Sequence, residues 1–140
     1  MRIVLAADGS KFTKKALAFL INHETLAGEG DEVLVLNVQP TMPPRVRSMV
    51  GSAAVNAYQS DEAEAVLSPI RKLLERKGLA WRSDWKVGEP AAQILAAAEK
   101  SKAHMIVMGT HGYGAIGRAV MGSVANRVLQ GAQIPVLLVR

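Results

Sequence analysis

The chain has 140 residues and 49% of them are hydrophobic, so we expect one domain, residues 1–140, with a buried core. It contains no cysteine, which excludes disulfide scaffolds and cysteine-ligated metal sites, and no apolar run reaches the length of a secretory signal or a membrane span, so a soluble cytoplasmic protein is expected. The formal net charge of +5 lies entirely in residues 100–140, which carry basic but no acidic side chains and therefore do not repel an anionic ligand.

Five short apolar runs predict five strands. They are Ile3–Ala7, Val33–Val38, Leu79–Val87, Met105–Met108 and Ile134–Val139. Four of them are apolar on both faces, which is typical of a parallel sheet covered by helices on both sides. The third alternates, with Trp81 and Trp85 on one face and Arg82 and Asp84 on the other, and this pattern predicts a half-exposed strand at a sheet edge.

Helical patterns fill the intervals between these strands. The predicted helices run from the cap Ser10 to about Ala27, from the cap Ser60 to Gly78, from Pro90 onward, and from Ser123 to near Gly131. Residues 39–56 contain three prolines and are predicted to form a long irregular loop. Strands that alternate with helices in this way indicate one α/β domain with right-handed crossovers.

A glycine-rich segment, residues 109–123, connects the fourth predicted strand to the last helix. It holds five glycines between positions 109 and 122, more than a simple turn requires. Glycine lets backbone N–H groups approach an anion closely, and a helix N-terminus adds its dipole and its free donors. A phosphate chain is therefore the expected ligand of this segment.

Two common phosphate motifs do not fit the segment. The string Gly112-x-Gly114-x-x-Gly117 matches the dinucleotide fingerprint, but no acidic residue follows Glu99 to hold a ribose. The same segment begins like a P-loop, but Arg118 and Ala119 stand where the lysine and the hydroxyl residue belong. Both readings are excluded.

The spacing Gly109-x2-Gly112-x9-Gly122-Ser123 resembles the pattern of the ATP-binding branch of the universal stress protein family. The resemblance covers essentially the whole chain, because Asp8-Gly9-Ser10 after the first strand and Gly88-Glu89-Pro90 before the third helix also fit. It implies a Rossmann-like fold, a five-stranded parallel sheet in the order 3-2-1-4-5 with helices on both faces. That order reverses between strands one and four, where open α/β sheets bind their ligands.

The resemblance also implies a set of nucleotide-binding residues. Asp8 would lie beside the ribose and the phosphates and would hold Mg²⁺ or Mn²⁺, and Val38 would contact adenine. Met108, Gly109, Thr110 and Gly112 would line the ribose and the first phosphates. The N-terminus of the last helix, residues 122–125, would hold the distal phosphates, and His111 would face either phosphate or solvent. The expected cofactor-binding residues are Ala6, Asp8, Val38, Met108, Gly109, Thr110, His111, Gly112, Gly122, Ser123, Val124 and Ala125.

Asp8 has a second interpretation, because an aspartate at this position can cap a helix. Ser10 already supplies a cap, which favours the ligand role for Asp8. Lys11, Lys14 and Lys15 follow at the same helix N-terminus, where cations oppose the dipole. They are interpreted as a solvated face, although a nearby anion would also account for them.

More than one class of function remains open. The leading hypothesis is a regulatory module that holds ATP and signals to a partner protein through its nucleotide state or dimerisation. The alternative is a slow ATPase or another nucleotide-activating enzyme of the same superfamily, although no catalytic residue is assigned. The positive charge admits nucleic-acid binding, for which no recognised motif is present.

A homodimer is expected through the fifth strand. The order 3-2-1-4-5 places Ile134–Val139 at a sheet edge, where an apolar strand invites pairing with another chain. Val136 and Leu138 are expected at that interface, as the family resemblance also implies. No association with a membrane is expected.

Overall fold

The computed structural model describes residues 1–112 and 121–140. Within these ranges strands and helices alternate in the order β1 Arg2–Ala6, α1 Lys11–Ile21, β2 Glu32–Gln39, α2 Pro44–Val50, α3 Ser52–Arg76, β3 Ala80–Val87, α4 Pro90–Lys100, β4 Met105–Gly109, α5 Ser123–Gly131 and β5 Val136–Val139. No helix in these two ranges is both long and apolar enough to cross a membrane.

The strands form one parallel sheet in the order β3-β2-β1-β4-β5. Both neighbours of β1 are in register with it, since Ile3 lies opposite Val33 of β2 and opposite Met105 of β4. The predicted α/β fold and its strand order are therefore confirmed. The carboxyl ends of β1 and β4 lie side by side at the point where the winding of the sheet reverses.

Alternate residues of the central strands enter two different cores. Ile3 and Leu5 point to the face covered by α1 and α3, whereas Val4 points to the face covered by α4 and α5. All three side chains are at most 1% exposed. Burial of one such aliphatic side chain contributes roughly 1.5–3 kcal/mol, which explains why the central strands are apolar on both faces.

The β3 strand lies at an edge of the sheet, as its alternating pattern predicts. Trp81 and Trp85 are half-buried against the core under α3, and Arg82 and Asp84 are exposed. Val87 shares the tryptophan face but is 41% exposed, because it lies at the end of the strand. The two indole rings therefore belong to the core, as expected.

The first helix is shorter than predicted. It ends at Ile21, with Asn22 as its C-cap, and does not continue to Ala27. A separate turn follows, closed by the bond from the Leu26 N–H to the His23 carbonyl. This turn brings Ala27 back under the sheet, where it is 2% exposed, and a continued helix would have carried it away from that core.

The predicted loop over residues 39–56 is wrong, and so is the helix start at Ser60. The segment contains the end of β2, the short α2 and the first turn of α3, and Ser60 lies inside α3. Gly51 separates the two helices with φ 86°, a left-handed conformation that favours glycine. Gln59 is buried on the α3 core face because its Nε2 donates to the Pro40 carbonyl at 2.8 Å.

Candidate functional site

A cavity of about 550 Å³ opens at the carboxyl ends of β1, β2 and β4. This is the region in which open α/β sheets bind ligands. All twelve residues of the predicted site line it: Ala6, Asp8, Val38, Met108, Gly109, Thr110, His111, Gly112, Gly122, Ser123, Val124 and Ala125. Sequence reasoning missed six further lining residues, Ala7, Thr13, Leu36, Pro40, Pro90 and Ile94.

Asp8 organises the turn between β1 and α1. Its Oδ1 accepts a hydrogen bond from the Ser10 N–H at 2.9 Å and another from the Thr13 hydroxyl at 2.7 Å. The Thr13 oxygen accepts in turn from the Asp8 N–H at 3.0 Å. Ser10 caps α1 as predicted, and Gly9, between Asp8 and Ser10, has φ 81°. The spacing Asp8-x4-Thr13 was the sequence signal that could have identified Thr13.

The second carboxylate oxygen of Asp8 lies directly over Gly112. A Cβ atom added to Gly112 would meet Asp8 Oδ2 at 2.4 Å. Because Gly112 has no side chain, the Asp8 carboxylate can occupy this position at the cavity wall. This contact joins the turn after β1 to the loop after β4, which are distant in the sequence.

Gly109 is glycine for a different reason from the one that the sequence suggested. A Cβ atom there would lie 2.5 Å from Cβ and 3.0 Å from the carbonyl carbon of Phe12, in the first turn of α1. The absence of a side chain thus lets α1 pack against the end of β4. Gly109 lines the cavity, but close helix packing accounts for its residue type.

The backbone of Val38 continues β2 beyond the end of β1. The Ala7 N–H donates to Leu36 O and the Gly88 N–H donates to Gln39 O. The backbone N–H and C=O groups of the even-numbered residues of β2 therefore point toward β1, and those of the odd-numbered residues point toward β3. Val38 therefore faces β1 at a level that the ladder does not reach. Its N–H and C=O border the cavity and are suited to read the edge of a planar base.

The N-terminus of α5 forms another wall of the cavity. Gly122 is the N-cap, and no side chain of the described residues caps this helix. Its first residues, Ser123, Val124 and Ala125, line the cavity with N–H groups that an α-helix leaves without intrahelical partners. A Cβ at Gly122 would meet neighbouring atoms at 3.4 Å, an ordinary contact. Packing by the described residues does not require this glycine, whereas an anion at the helix end would.

Thr110 and His111 connect β4 to the loop. The His111 Nδ1 lies 2.9 Å from Thr110 Oγ1, and its ring centre lies 5.0 Å from that of Phe12. Thr110 is buried and its N–H donates to Val139 O. The predicted glycines Gly114 and Gly117 lie outside the described residues.

Glu89 and Arg127 link the two helices beside the cavity. Glu89 caps α4 by accepting from the N–H groups of Ala92 at 2.6 Å and Ala91 at 3.2 Å, and its Oε1 lies 3.3 Å from the Arg127 guanidinium. The Ala92 hydrogen bond, followed by those of Ala91 and Arg127, holds the pKa of the Glu89 carboxyl below its ordinary value. Pro90, at the first helical position, is also a cavity residue.

A metal ion at this site would depend on the ligand for most of its coordination. The described residues contain no cluster of three or more histidine and carboxylate side chains. Asp8 brings one carboxylate to the cavity, with Oδ2 outside the hydrogen bonds of the α1 turn. One carboxylate together with phosphate oxygens and water is a common way for proteins to bind Mg²⁺, so the residues fit that ion.

Comparison with known proteins gives consistent matches over the whole length. The family model described as the universal stress protein family matches residues 1–140. The universal stress protein MJ0531 of Methanocaldococcus jannaschii is 34% identical, with 99% of this chain and 81% of that protein covered. A universal stress protein of Thermus aquaticus is 35% identical, with coverage of 99% and 97%. The solved structure of MJ0577 from M. jannaschii has a TM-score of 0.87 at 28% identity, covering 99% of this chain and 94% of that one.

Two more distant structures of the same fold contain nucleotides. The universal stress protein of Archaeoglobus fulgidus was solved in complex with dAMP and has a TM-score of 0.69 at 22% identity, covering 100% of this chain and 98% of that one. A family protein of Arabidopsis thaliana was solved with AMP bound and has a TM-score of 0.69 at 16% identity, with coverage of 99% and 90%. At these identities the likeness is evidence of a shared fold alone.

Proposed function

The chain belongs to the universal stress protein family, and on that premise we propose that it binds ATP in the cavity at the carboxyl ends of β1, β2 and β4. It acts as a regulatory protein whose partners respond to nucleotide occupancy. One observation carries the proposal: the free backbone edge of Val38, the Asp8 carboxylate and the N-terminus of α5 line the same cavity. These groups match a base, a ribose with its metal, and a phosphate chain.

The base lies at the β2 end of the cavity. Val38 offers one N–H and one C=O there, and Leu36, Pro40 and Ile94 surround them with apolar surface. Ligand sites commonly combine an apolar lining with a few placed polar groups, and the volume of about 550 Å³ lies in the range of such sites. Two family members of the same fold were solved with AMP and dAMP, both adenine nucleotides, and the apolar lining at the β2 end suits a base of this kind.

The phosphates lie at the N-terminus of α5. The N–H groups of its first turn and the positive end of its dipole favour negative charge. Asp8 would supply a carboxylate to Mg²⁺ or Mn²⁺ bound with the nucleotide, and the ion would neutralise part of the phosphate charge. Asp8 Oδ1 already accepts two hydrogen bonds, which fix the orientation of the carboxylate. A carboxylate fixed in this way is suited to binding a ligand.

Two copies of the chain associate through β5 in this proposal. The Ile106 N–H donates to Pro135 O and the Thr110 N–H donates to Val139 O, so the backbone groups of the odd-numbered residues of this segment point toward β4. The N–H and C=O groups of Val136 and Leu138 therefore face the open edge. A second β5 strand would satisfy them. An ATP-binding role also fits the cytoplasmic location expected from the sequence.

Titration calorimetry with ATP and Mg²⁺ tests the nucleotide site. Gly122→Asp places a negative side chain at the N-terminus of α5, where like-charge repulsion is expected to weaken ATP binding by about tenfold or more. Gln133→Asp, in the exposed turn before β5, changes the net charge equally and should bind as the wild type does. Equal ATP affinity in the wild type and Gly122→Asp, or no ATP binding by the wild type, contradicts the proposal.

A further inference from the structure

Phe12 is the centre of a small basic cluster beside the cavity. The Lys11 Nζ lies 5.2 Å and the Lys15 Nζ 5.7 Å from the centre of its ring, within the range of cation–π contact. The His111 ring lies 5.0 Å from the same centre. One aromatic ring thus gathers three basic side chains, and we call Lys11, Phe12, Lys15 and His111 the Phe12 cluster.

The Phe12 cluster lies next to the phosphate end of the proposed site. His111 lines the cavity and is held by Thr110 Oγ1 at 2.9 Å. The backbone of Phe12 packs on Gly109, whose missing side chain brings the first turn of α1 against the end of β4. The flexible four-carbon stems of the two lysines therefore start beside the loop that lines the cavity.

The electrostatic arrangement of the two lysines is unfavourable in the chain alone. They are four positions apart on one helix, where like charges repel, and they occupy the N-terminal turns, where cations oppose the dipole. The first turn of α1 has no acidic residue. In the described part of the chain the ion pairs include neither lysine. The Asp8 carboxylate in the turn before α1 offsets part of this unfavourable energy, and an anion bound beside the lysines would offset more of it.

We propose that Lys11 and Lys15, arranged on Phe12, bind the terminal phosphates of the nucleotide and make the site selective for nucleoside triphosphates over monophosphates. The proposal rests on the proposed function and specifies its ligand class. The N-terminus of α5 binds the phosphate chain itself, and the two lysines add positive charge beside it. The Phe12 cluster binds the charge that only a longer phosphate chain brings, so its contribution grows from AMP to ATP.

The experiment compares the affinities for ATP, ADP and AMP by titration calorimetry at fixed ionic strength. The variant is Lys11→Gln/Lys15→Gln, which removes two exposed charges and keeps side chains of similar length. Lys72→Gln/Lys77→Gln is the matched control, because it also removes two exposed charges, from the end of α3 that leads into the start of β3, opposite the cavity. We expect the Lys11→Gln/Lys15→Gln variant to lose about fivefold to tenfold in ATP affinity and less than about twofold in AMP affinity.

The salt dependence gives a second readout, since contacts between charges weaken as ionic strength rises. The wild-type preference for ATP over AMP should fall in high salt, and the Lys11→Gln/Lys15→Gln variant should have little preference left to lose. An equal loss for ATP and AMP, no loss at all, or the same effect in Lys72→Gln/Lys77→Gln overturns the proposal while leaving the nucleotide site intact. Failure of the wild type to bind any of the three nucleotides overturns the proposed function and this proposal with it.

Discussion

At the scale of single residues, the carboxylate of Asp8 both stabilises the turn after β1 and reaches the wall of the cavity. Its Oδ1 is taken by the Ser10 N–H and the Thr13 hydroxyl, and its Oδ2 lies over Gly112 at the cavity wall. The sequence presented capping and ligand binding as alternatives, with Ser10 as the cap. The geometry shows that Ser10 and Asp8 both bond within the same turn. The two roles of Asp8 can therefore be separated only by variants that keep one oxygen acceptor.

Asp8→Asn and Asp8→Ala are expected to separate these roles. Asparagine keeps an oxygen that accepts from Ser10 and Thr13, so the free energy of unfolding should change little, whereas Asp8→Ala should lower it by about 0.5–2 kcal/mol. Both variants lose the charge, so both should bind ATP more weakly in Mg²⁺ and differ less from the wild type in EDTA. Urea unfolding and calorimetry measure the two effects. Wild-type affinity of Asp8→Asn in Mg²⁺ would show that Asp8 is only a cap.

The glycines of the loop differ in the physical reason for their residue type. A side chain at Gly109 would clash with Phe12, and one at Gly112 would clash with the Asp8 carboxylate. Gly122, in contrast, has room for a Cβ. The spacing of these glycines pointed to the segment that lines the cavity. It could not predict these reasons, because each depends on a residue that is distant in the chain and arrives only when the sheet forms.

Gly109→Ala should therefore act mainly on the free energy of unfolding, and Gly122→Ala mainly on the affinity for ATP. Gly109→Ala forces α1 away from β4, and overpacking of this kind is expected to reduce the free energy of unfolding by about 1–3 kcal/mol. Gly122→Ala should reduce stability less than Gly109→Ala does, because its Cβ has room and only the poorer N-cap propensity of alanine acts against it. It should weaken ATP binding, since the Cβ narrows the approach to α5. Urea unfolding without ligand and ATP titration of each variant test this. Equal stability of the two variants would contradict the packing role of Gly109.

At the scale of elements, the main surprise is the region between β2 and β3. The prolines and exposed side chains of residues 39–56 indicated a loop, but Pro44 begins α2 and Gly51 allows α3 to start at once. The buried stripe of α3 extends backward through Gln59 and Val55. A polar residue interrupted the apolar pattern there. Its burial depends on the Pro40 carbonyl, a partner that the sequence does not reveal.

The start of α4 is an element that the sequence located correctly. Gly88 has φ 149°, Glu89 is the N-cap and Pro90 takes the first helical position. Each residue type suits its position for a local reason, so no distant partner was needed for this prediction. Glu89 adds the bond to Arg127, which ties α4 to α5.

The Glu89 cap makes stability depend on pH. Its pKa is lowered in the folded state from the ordinary value of 4.5, first by the Ala92 N–H and then by Ala91 and Arg127. The ionised Glu89 carboxylate therefore contributes its full stabilisation of the folded state when the pH is above the ordinary pKa. This contribution is lost as the pH falls through the lowered pKa of the folded state. Glu89→Gln should unfold at lower urea than the wild type at pH 7, and the two should converge in acid.

Urea titrations at pH 7, 5 and 3 measure this convergence. Glu99→Gln is the control, because Glu99 lies at the C-terminal end of α4, where a negative charge is unfavourable to the dipole. This variant should not be less stable than the wild type at neutral pH. A difference between wild type and Glu89→Gln that persists undiminished in acid would contradict the ionic part of the cap.

At the scale of the whole molecule, the cavity joins segments from both halves of the chain. In the proposed nucleotide site the ends of β1 and β2 would supply the base and metal positions, and β4 with α5 would supply the phosphate positions. The strand order from the family resemblance predicted this convergence. The half-buried state of β5 was harder to predict, since Val136 and Leu138 pack against the core under α4 and α5 although the strand is at an edge.

The proposed dimer is tested at this edge. Val136→Lys/Leu138→Lys should yield monomers in sedimentation experiments, because charges repel a second strand. The substitutions also disturb a half-buried surface, so a folded spectrum by circular dichroism is required. Val136→Pro is the milder variant, because it removes an N–H that faces the open edge and keeps the ladder to β4. A monomeric wild type at high micromolar concentration, or folded lysine variants that remain dimeric, would contradict the interface.

The two edges of the sheet have opposite character, and this difference limits how far assembly can grow. Along β3, Arg82 pairs with Glu32 and Lys86 with Asp84, so charged, solvated side chains accompany that edge. The β5 edge carries only aliphatic side chains. A filament would need β5 of one copy to add to β3 of the next, which the charges disfavour. In the proposed dimer, pairing of β5 with β5 about a two-fold axis would leave no apolar edge strand open, so assembly would stop at two chains.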